Sequence, residues 1–597
     1  MNTIKDRNKA YYNFHEVQLR LYGRSKSGKS FDNLYETITS KENILLAYRT
    51  IKSNKGSKTR GTDKKTIKHL SKLGQEQFIQ YFRKKLINYK PKSVKRVLIP
   101  KDNGSTRPLG IPSIDDRIIQ QMFRQVLEPI CEAKFFNHSY GFRPLRTTHH
   151  AISRVQSLAN INKLNYAVDI DIKGFFDNVN HSKLIKQIWN IGIKDKRVLA
   201  IISKMLKAPI KGEGIPTKGV PQGGILSPLL SNIVLNDLDQ WVAKQWETFE
   251  SRHKYAGNDV KIFNLRRASN LKEGYIVRYA DDFKIMTRSY DLAKRWYEAV
   301  KEYLKLRLGL DISDEKSKIV NLKKKHSNFL SYKFRLYRKG EKWVIKTNVA
   351  DKKKKLITDK LRELTVLIQK HPDYENISRY NSTLIGIQNY FRHATHVNND
   401  FIEIEHKLLR KQRTRFKRIA KYKKPKDMDK HSLYMRVYGN TRKTFIFNKK
   451  INLFIIGKVS TVNSRNFSQS INPYNFTPKF SWDVEIKRMM ERTSKYNNVE
   501  YMDNRLSKYS MQKGLCAVTK IPLTAEFVHC HHITPRSLGG TDKFDNLVIV
   551  HEIIHKLVHA TKEETINKIV KYFNLNSKQI TAVNKLRLNC KLGKIVH

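Results

Sequence analysis

Two short acidic segments have the residue types and spacing of a site for divalent cations. Asp281 and Asp282 stand side by side between two largely apolar stretches, which predicts a β-hairpin with both acids at its tip. Adjacent carboxylates repel each other, and a divalent cation is their natural counter-charge. Asp169 and Asp171 alternate onto one face of a predicted strand. A strand acid beside the hairpin pair could hold two Mg²⁺ that activate a 3′-hydroxyl, whereas the alternative is a surface turn with a capping aspartate.

A second group of candidate metal ligands lies near the end of the sequence. His555 and His559 are four residues apart and share one face of a predicted helix, so that with His531 they could bind one divalent cation. The arrangement resembles the HNH, or ββα-metal, nucleases. The resemblance implies that His532 deprotonates a water molecule that attacks a DNA phosphate and that Asn546 orients its imidazole. A structural zinc site is the alternative.

The same segment departs from these nucleases at a second site. Many of them carry two Cys-x-x-Cys pairs that bind a structural zinc, but here Cys516 and His551 leave one potential ligand in each pair. We therefore expect the structural zinc to be absent and apolar packing to replace it. The residues expected to supply that packing are Leu547, Ile549, Ile553 and Ile554.

The elements that must position these side chains mix strands and helices. Residues 94–100 and 166–172 have the apolar pattern of strands. Residues 1–95 and the segment from about 341 onward have apolar residues at helical spacing. The predicted fold class is therefore α+β with several domains.

The charge of the chain points to a polyanionic partner. Its 597 residues contain 117 Lys and Arg but 53 Asp and Glu, a formal net charge of +64, which excludes an ordinary metabolic enzyme as the default interpretation. Between residues 407 and 426 there are eleven Lys and Arg and no acid. We interpret this run as a phosphate-binding surface, with a solvated helix face as the alternative. Four cysteines in so long a chain argue against a disulfide framework.

Several longer blocks resemble one family, the group II intron-encoded proteins, which combine a reverse transcriptase, an RNA maturase and an HNH endonuclease. The blocks occur in the family's order, and the acidic Tyr279-Ala280-Asp281-Asp282 is one of them. The others are Arg107-Pro108-Leu109-Gly110-Ile111-Pro112, His138-Ser139-Tyr140-Gly141-Phe142-Arg143-Pro144 and Gly219-Val220-Pro221-Gln222-Gly223-Gly224. Ser331 stands where the family usually has glycine, and a positive φ there would strain it.

The resemblance implies roles for individual residues. Asp171, Asp281 and Asp282 would be catalytic carboxylates that bind two Mg²⁺. The implied nucleotide-binding residues are Phe176 as the gate against a ribose 2′-hydroxyl, Gln222 beside the template or nucleotide, and Arg107 and Lys101 at the triphosphate. A plain salt bridge is the alternative for Arg107.

The resemblance also implies a right-hand polymerase of fingers, palm and helical thumb, followed by a DNA-binding region and the ββα-metal domain. The expected segments are an N-terminal extension (1–95), fingers and palm (96–340), thumb and maturase domain (341–430), DNA-binding region (431–505) and HNH endonuclease (506–597). The polar, asparagine-rich composition of residues 427–505 predicts either a loosely folded DNA-contacting segment or a linker.

The implied activity is intron mobility by target-primed reverse transcription. The partners would be the intron RNA, target DNA and deoxynucleoside triphosphates, with no membrane, and a homodimer is among the expected assemblies. We expect a bacterial cytoplasm, near the nucleoid, or an organelle matrix. The alternative functions are a splicing factor without polymerase activity and a reverse transcriptase of defence or diversification systems.

One further motif is interpreted as a coincidence. Residues 23–30 fit the G-x-x-x-x-G-K-S pattern of a phosphate-binding loop. That loop needs a buried strand before it, but residues 17–22 alternate apolar and polar side chains. We therefore favour a basic loop over a nucleotide-hydrolysis site.

Overall fold

The computed structural model describes residues 12–100, 106–425, 433–439, 442–448, 451–475, 482–491 and 498–595. Lys101, one of the predicted nucleotide-binding residues, lies outside the described residues. The chain divides into two compact units, and each unit is built from separate stretches of the sequence. The five expected segments, in contrast, follow one another along the chain. The first unit comprises residues 1–135, 176–234 and 472–597, and the second comprises residues 136–175 and 235–471.

The helices and strands follow the chain in a fixed order. The first part contains α1 (Phe14–Lys26), α2 (Tyr35–Ile38), α3 (Lys41–Ser53), α4 (Ile67–Leu70), α5 (Gln75–Ile87), β1 (Lys95–Pro100), β2 (Thr106–Ile111), α6 (Ile114–Glu132), α7 (Thr148–Asn160), β3 (Tyr166–Ile170), α8 (Phe175–Asn178), α9 (His181–Ile191), α10 (Lys196–Leu206) and α11 (Ser227–Lys244). The middle part contains α12 (Asn258–Ala268), β4 (Tyr275–Tyr279), β5 (Asp282–Thr287), α13 (Tyr290–Tyr303), β6 (Lys318–Asn321), β7 (Ser327–Phe329), β8 (Tyr332–Lys339) and β9 (Lys342–Val349). The last part contains α14 (Asp351–Lys370), α15 (Tyr374–Phe391), α16 (Val397–Phe416), β10 (Ala420–Lys423), α17 (Leu433–Tyr438), β11 (Thr444–Phe447), β12 (Ile451–Asn452), α18 (Trp482–Glu491), α19 (Val499–Met511), β13 (Val528–His532), β14 (Leu547–His551), α20 (Glu552–His559), α21 (Glu563–Phe573) and α22 (Ser577–Asn589).

The first unit is organised around α6, a helix whose side chains are buried on nearly every face. Ser113 caps its first turn by accepting a hydrogen bond from the amide of Asp116. Helices α1 and α3 pack against it. Where they meet, the Asn43 side chain donates to the carbonyl of Met122 at 3.0 Å, so a buried amide keeps its hydrogen bond.

The C-terminal part of the first unit is a short antiparallel pair, β13 and β14, followed directly by α20. Helix α19 packs beside β14 and also contacts α5. Its Asp503 receives hydrogen bonds from the hydroxyl of Tyr12, from Arg49 at 2.7 Å and from Lys52 at 2.9 Å. This cluster attaches the C-terminal residues to the N-terminal helices of the same unit.

The second unit contains a four-stranded antiparallel sheet in the order β4-β5-β3-β6. The strands predicted at 94–100 and 166–172 correspond to β1 and β3. Helix α13 covers the sheet along β3, β5 and β6, and α7 packs on β4. One continuous apolar core extends from this sheet through the sheet β7-β8-β9 to helices α14, α15 and α16.

The residues after α16 fold more tightly than their polar composition predicted. Strand β10 pairs with β11, although the expected domain boundary at 430 and 431 lies between them. Tyr434, Tyr438, Phe445 and Phe447 are buried in the core of the second unit. Much of the segment proposed as a loose DNA-binding region is therefore part of this core.

Two other expectations concern single segments. Residues 23–26 form the end of α1, so a helix and not a strand precedes the rest of the G-x-x-x-x-G-K-S match, and the basic loop favoured from the sequence is confined to the residues after Lys26. Within the part of the chain that the structure describes, no helix is both long and apolar enough to cross a lipid bilayer.

Candidate functional site: an acidic hairpin and a histidine cluster

The acidic pair lies at the tip of the β4–β5 hairpin, as predicted. Tyr279 pairs with Asp282, so Ala280 and Asp281 form a two-residue turn. Ala280 has φ +58, a conformation that hairpin turns usually give to glycine or asparagine. A Cβ on Gly141 would lie 2.2 Å from the Ala280 amide, so only glycine fits against this turn.

A buried ion pair supports the turn from inside. Arg278, the residue before Tyr279, holds both carboxylate oxygens of Asp239 through its Nε and Nη2 atoms at 2.6–2.9 Å. Its Nη1 donates to the carbonyl of Ala280 at 2.8 Å. Both charged side chains are almost fully buried. The guanidinium therefore joins the hairpin tip to helix α11 by a planar set of charge-assisted hydrogen bonds.

Asp171 is the first residue after β3, the strand that pairs with β5 of the hairpin. The register pairs Asp169 with Lys284 and Ile170 with Phe283, and Asp171 and Asp282 are the next residues along the two strands. Neighbouring strands lie about 4.8 Å apart, so these two residues reach the same edge of the sheet. The Asp171 carboxylate is half exposed and pairs with Lys316 at 3.2 Å.

Asp169 on β3 and Asp171 just after it have different surroundings. Asp169 accepts hydrogen bonds from Lys284 at 2.5 Å and from Ser327 at 2.8 Å. The Lys284 side chain is buried, so Asp169 neutralises it. Asp171 is therefore the better placed of the two to bind a cation at the open edge of the sheet.

Asp282 has the most perturbed carboxylate of this group. Although the residue opens to solvent on one side, desolvation by the surrounding protein raises its pKa to about 6. Repulsion from Asp169 and Asp281 acts in the same direction, while Lys284 and the backbone of Leu330 lower the pKa. A divalent cation would relieve this repulsion, because Mg²⁺ binds oxygen ligands with excess negative charge.

Two predicted nucleotide-binding residues meet in the first unit. Arg107 on β2 donates through Nε to the side-chain oxygen of Gln222 at 2.7 Å. The backbone carbonyl of Gln222 accepts from Gly110, also on β2, at 2.6 Å. Gly223 has φ +106, and a Cβ there would lie 2.5 Å from the carbonyl of Gly110, which excludes larger residues. The loop is thus held close to β2.

Phe176 lies in α8 and lines a pocket of the first unit. Its carbonyl accepts from the Val220 amide at 2.7 Å. Other residues of the pocket wall are Arg96, Pro108, Ile210, Pro216 and Pro221.

The three predicted histidine ligands come together at the junction of β13 and α20. One ring nitrogen from each of His531, His555 and His559 lies within 4.8 Å of the others. Burial, followed by repulsion from neighbouring histidines, lowers the pKa of His531 to about 3. The pKa values of His555 and His559 are lowered too, first by burial. Neutral imidazoles at pH 7 keep the lone pair that a metal ion requires, so the three residues fit a divalent cation.

The partner of His532 was not predicted. Its Nε2 lies 2.8 Å from Oδ1 of Asp542, and the ring of Tyr501 stacks on it with the ring centres 5.2 Å apart. The other oxygen of Asp542 accepts from Asn498, the capping residue of α19, at 2.7 Å. Asp542 and Tyr501 therefore fix the imidazole that the sequence assigned as a base.

Asn546 makes different contacts from the one expected. Its side-chain oxygen accepts from the Thr534 amide, and its nitrogen donates to the carbonyls of Thr534 and Thr541. Asn546 thus ties together the loop after His532, and the contact that the sequence assigned to it is made by Asp542. The role differs from the expected one because the side-chain amide of Asn546 makes its hydrogen bonds to the backbone of Thr534 and Thr541.

Cys516 and His551, the potential zinc ligand left in each pair, pack together. The thiol of Cys516 accepts from the His551 amide at 3.4 Å, and Cys516 is fully buried. Of the apolar residues expected to replace a zinc, Leu547, Ile549 and Ile554 are buried, and Ile553 is half-buried. The absence of a structural zinc stays a prediction.

Comparison with known proteins gives these two sites a context. Residues 99–334 match the family described as reverse transcriptase (RNA-dependent DNA polymerase), and residues 517–561 match the family described as HNH endonuclease. The acidic hairpin lies within the first match and the histidine cluster within the second.

Three relatives show how far the similarity extends along the chain. Group II intron-encoded protein LtrA of Lactococcus lactis is 31% identical over 440 residues, which cover 62% of this chain and 72% of LtrA. Protein YkfC of Escherichia coli is 35% identical over 53% of this chain and 86% of its own length. A putative COX1/OXI3 intron 2 protein of Saccharomyces cerevisiae is 28% identical over 55% of this chain and 42% of its own. The chain therefore belongs to the group II intron-encoded proteins and carries a reverse transcriptase domain followed by an HNH endonuclease domain.

Proposed function

We propose that this protein binds its own intron RNA, promotes splicing, and copies the inserted intron into DNA from a primer that its nuclease creates. In this proposal the β4–β5 sheet serves as the palm, the N-terminal helices and the β1–β2 hairpin as fingers, and α14, α15 and α16 as the thumb. The intron RNA itself would catalyse splicing, so we assign no catalytic residue to that step.

For DNA synthesis, Asp171, Asp281 and Asp282 would hold two Mg²⁺. When bound, such ions activate a 3′-hydroxyl and stabilise the pyrophosphate that leaves. The β3–β5 register supports this assignment most directly, because Asp171 and Asp282 are the next residues along it after the pair of Ile170 and Phe283. Arg107 would bind the triphosphate of the incoming deoxynucleotide, and its present partner Gln222 would orient it. Lys101 and Phe176 keep the roles proposed from the sequence.

For cleavage of the second DNA strand, His531, His555 and His559 would hold one divalent cation that stabilises the departing 3′-oxygen. His532 would take a proton from the attacking water. Asp542 would keep its ring oriented, and Asn546 would maintain the loop that follows. The nick would leave a 3′-hydroxyl that serves as the primer.

The RNA would be held by the basic face of α16. Leu408, Gln412 and Phe416 of this helix are buried at four-residue intervals, so the side chains between them face outward. The exposed basic residues of this stretch are Lys407, Arg410, Lys411, Arg413 and Arg415. We expect the complex to act where intron RNA and target DNA occur together, near a bacterial nucleoid or in an organelle matrix.

One experiment with three readouts tests the proposal. Purified full-length protein with its intron RNA should splice, nick a target duplex and extend a primer. Asp281→Ala should abolish extension and leave splicing and nicking unchanged, while His532→Ala should abolish nicking alone. Splicing without any extension by the wild type would instead indicate a splicing factor without polymerase activity. Loss of all three activities in either variant would contradict separate sites.

A further inference from the structure

The turn between β7 and β8 has a strained backbone. Phe329 pairs with Tyr332, so Leu330 and Ser331 form a two-residue turn with φ +51 and +67. Positive φ at both central positions is favourable for Asn-Gly and unfavourable for leucine and serine. Such conformations persist where surrounding groups hold them, and they concentrate at functional sites.

One side of this turn is attached to the acidic hairpin. Lys284, two residues after Asp282, donates to the carbonyl of Asn328 at 2.7 Å and to the Ser327 hydroxyl at 2.6 Å. The backbone of Leu330 lowers the pKa of the Asp282 carboxylate, so the turn forms part of the surroundings of that side chain. A movement of the turn would therefore change the surroundings of Asp282.

The other side of the turn is held by the last residues of α15. The hydroxyl of Tyr390 donates to the carbonyl of Leu330 at 3.0 Å. The backbone carbonyl of Tyr390 in turn accepts from the hydroxyl of Tyr332 and lies 2.9 Å from a ring nitrogen of His149. The Tyr390 hydroxyl thus holds the Leu330 carbonyl, and Tyr390 is itself fixed at its hydroxyl and at its backbone carbonyl.

We propose that Tyr390 is a positioning residue for DNA synthesis, whose hydroxyl holds the strained Leu330–Ser331 turn against the hairpin that carries Asp282. The inference rests on the proposed polymerase function. It assigns to a helix of the proposed thumb a part in arranging the carboxylates. Tyr390 does not touch the reacting atoms in this scheme, because it acts through the Leu330 carbonyl.

The test is a double-mutant cycle in the full-length protein. Tyr390→Phe removes the hydroxyl and keeps the ring, so packing against Tyr332 is preserved. We expect it to lower kcat of primer extension by about 3- to 10-fold, the change that the loss of one neutral hydrogen bond produces. The Mg²⁺ concentration for half-maximal rate should rise, while KM for the deoxynucleotide should stay the same.

The second arm of the cycle is Ser331→Gly. Glycine adopts φ +67 without strain, so a turn with glycine should need the Tyr390 hydroxyl less. Tyr390→Phe in the Ser331→Gly background should therefore cost less than about 2-fold in kcat, a coupling that neighbouring residues show and independent ones do not.

Tyr380→Phe is the matched control. Tyr380 is a buried tyrosine of the same helix, bonded to Gln412 away from the turn, and its variant should extend primers like the wild type. An unchanged rate and Mg²⁺ dependence in Tyr390→Phe would overturn the proposal. So would an equal loss in both residue-331 backgrounds, or an equal loss in Tyr380→Phe. Absence of extension in the wild type would instead remove the proposed function itself.

Discussion

At the scale of single residues, the acidic hairpin depends on side chains that lie behind it. The Arg278–Asp239 pair is enclosed by protein, and both partners satisfy each other's hydrogen-bonding groups. Removing one partner of a buried pair leaves the other charge without compensation, which costs several kcal/mol. The tip of the hairpin and the stability of the second unit are therefore linked through one guanidinium.

We predict that Arg278→Lys lowers stability and DNA synthesis together. Lysine keeps the charge but has no planar fork, so it cannot bond both oxygens of Asp239 and the carbonyl of Ala280 at once. The free energy of unfolding should fall by about 2–4 kcal/mol and primer extension by more than about tenfold. Urea unfolding and primer extension measure the two effects.

Arg266→Lys is the matched control for this variant. Arg266 pairs with the buried Glu273, but its own side chain is about a quarter exposed and Arg288 also contacts that carboxylate at 3.4 Å, so part of the loss is compensated. We expect a change within about 1 kcal/mol and near-normal extension. Extension by Arg278→Lys at the wild-type rate would show that the buried pair does not position the hairpin.

At the scale of secondary-structure elements, α19 has two roles. Asn498, which caps the helix, bonds to Asp542, and Tyr501 in the first turn stacks on His532. Asp503, further along the helix, bonds to Arg49 of the N-terminal helices. Burial alone would raise the pKa of Asp503, but Arg49 and Lys52 outweigh it and hold the pKa well below its usual range. The ionised form of Asp503 therefore stabilises the folded protein.

This gives a prediction about pH. A carboxyl whose pKa is lower in the folded state contributes stability above its unfolded pKa of about 4, and loses that contribution as the pH falls further. Asp503→Asn should therefore be clearly less stable than the wild type at pH 7, and the difference should shrink below about pH 4. Urea unfolding between pH 3 and pH 7 measures it.

Asp314→Asn serves as the comparison. The Asp314–Lys301 pair is exposed on both sides, so its loss should change stability little at any pH. A constant difference between wild type and Asp503→Asn across the whole range would contradict the predicted linkage.

The features that could be predicted from the sequence are those whose residues lie close together along the chain. The acidic hairpin, strand β3 and the spacing of His555 and His559 depend on residues close in sequence, and all were found. The contacts of Asp542 with His532 and of Arg278 with Asp239 join different elements. A single sequence does not pair these residues, although Asp542, directly after Gly539-Gly540-Thr541, lies close enough to His532 in sequence to be a candidate.

The segment after α16 shows the same limit. Its polar, asparagine-rich composition suggested a linker, because average composition measures no individual contact. In the structure a few aromatic residues, among them Phe445 and Phe447, pair their strand with β10 and join the core. Similarly, the sequence indicates that a positive φ would strain Ser331, but only the folded backbone shows that φ is positive there.

At the scale of the whole molecule, charge dominates the expected behaviour. A net charge of +64 means that RNA binding releases many counterions, so affinity should fall steeply with salt. We predict that replacing Arg410 and Lys411 of α16 by glutamine weakens binding of the intron RNA and lowers the slope of log affinity against log salt by about 1–2. Filter binding at several salt concentrations measures both.

Lys568 and Lys571 provide the control for that experiment. Both are exposed basic residues on α21 of the nuclease segment, so the same substitution removes the same charge. If α16 forms the RNA surface, this control should leave the salt slope nearly unchanged. Equal effects in the two variants would show that RNA binding reflects net charge rather than the face of α16.

The cluster around Asp503 also affects how the chain is made. Arg49 and its carboxylate partner are 454 residues apart, so a ribosome adding about 5–20 residues per second needs about 20–90 s between them. During that time the N-terminal helices emerge with Arg49 and Lys52 lacking their counter-charge. The first unit can therefore be completed only after α19 has been synthesised, and products that terminate before α19 leave that surface open to chaperones and proteases.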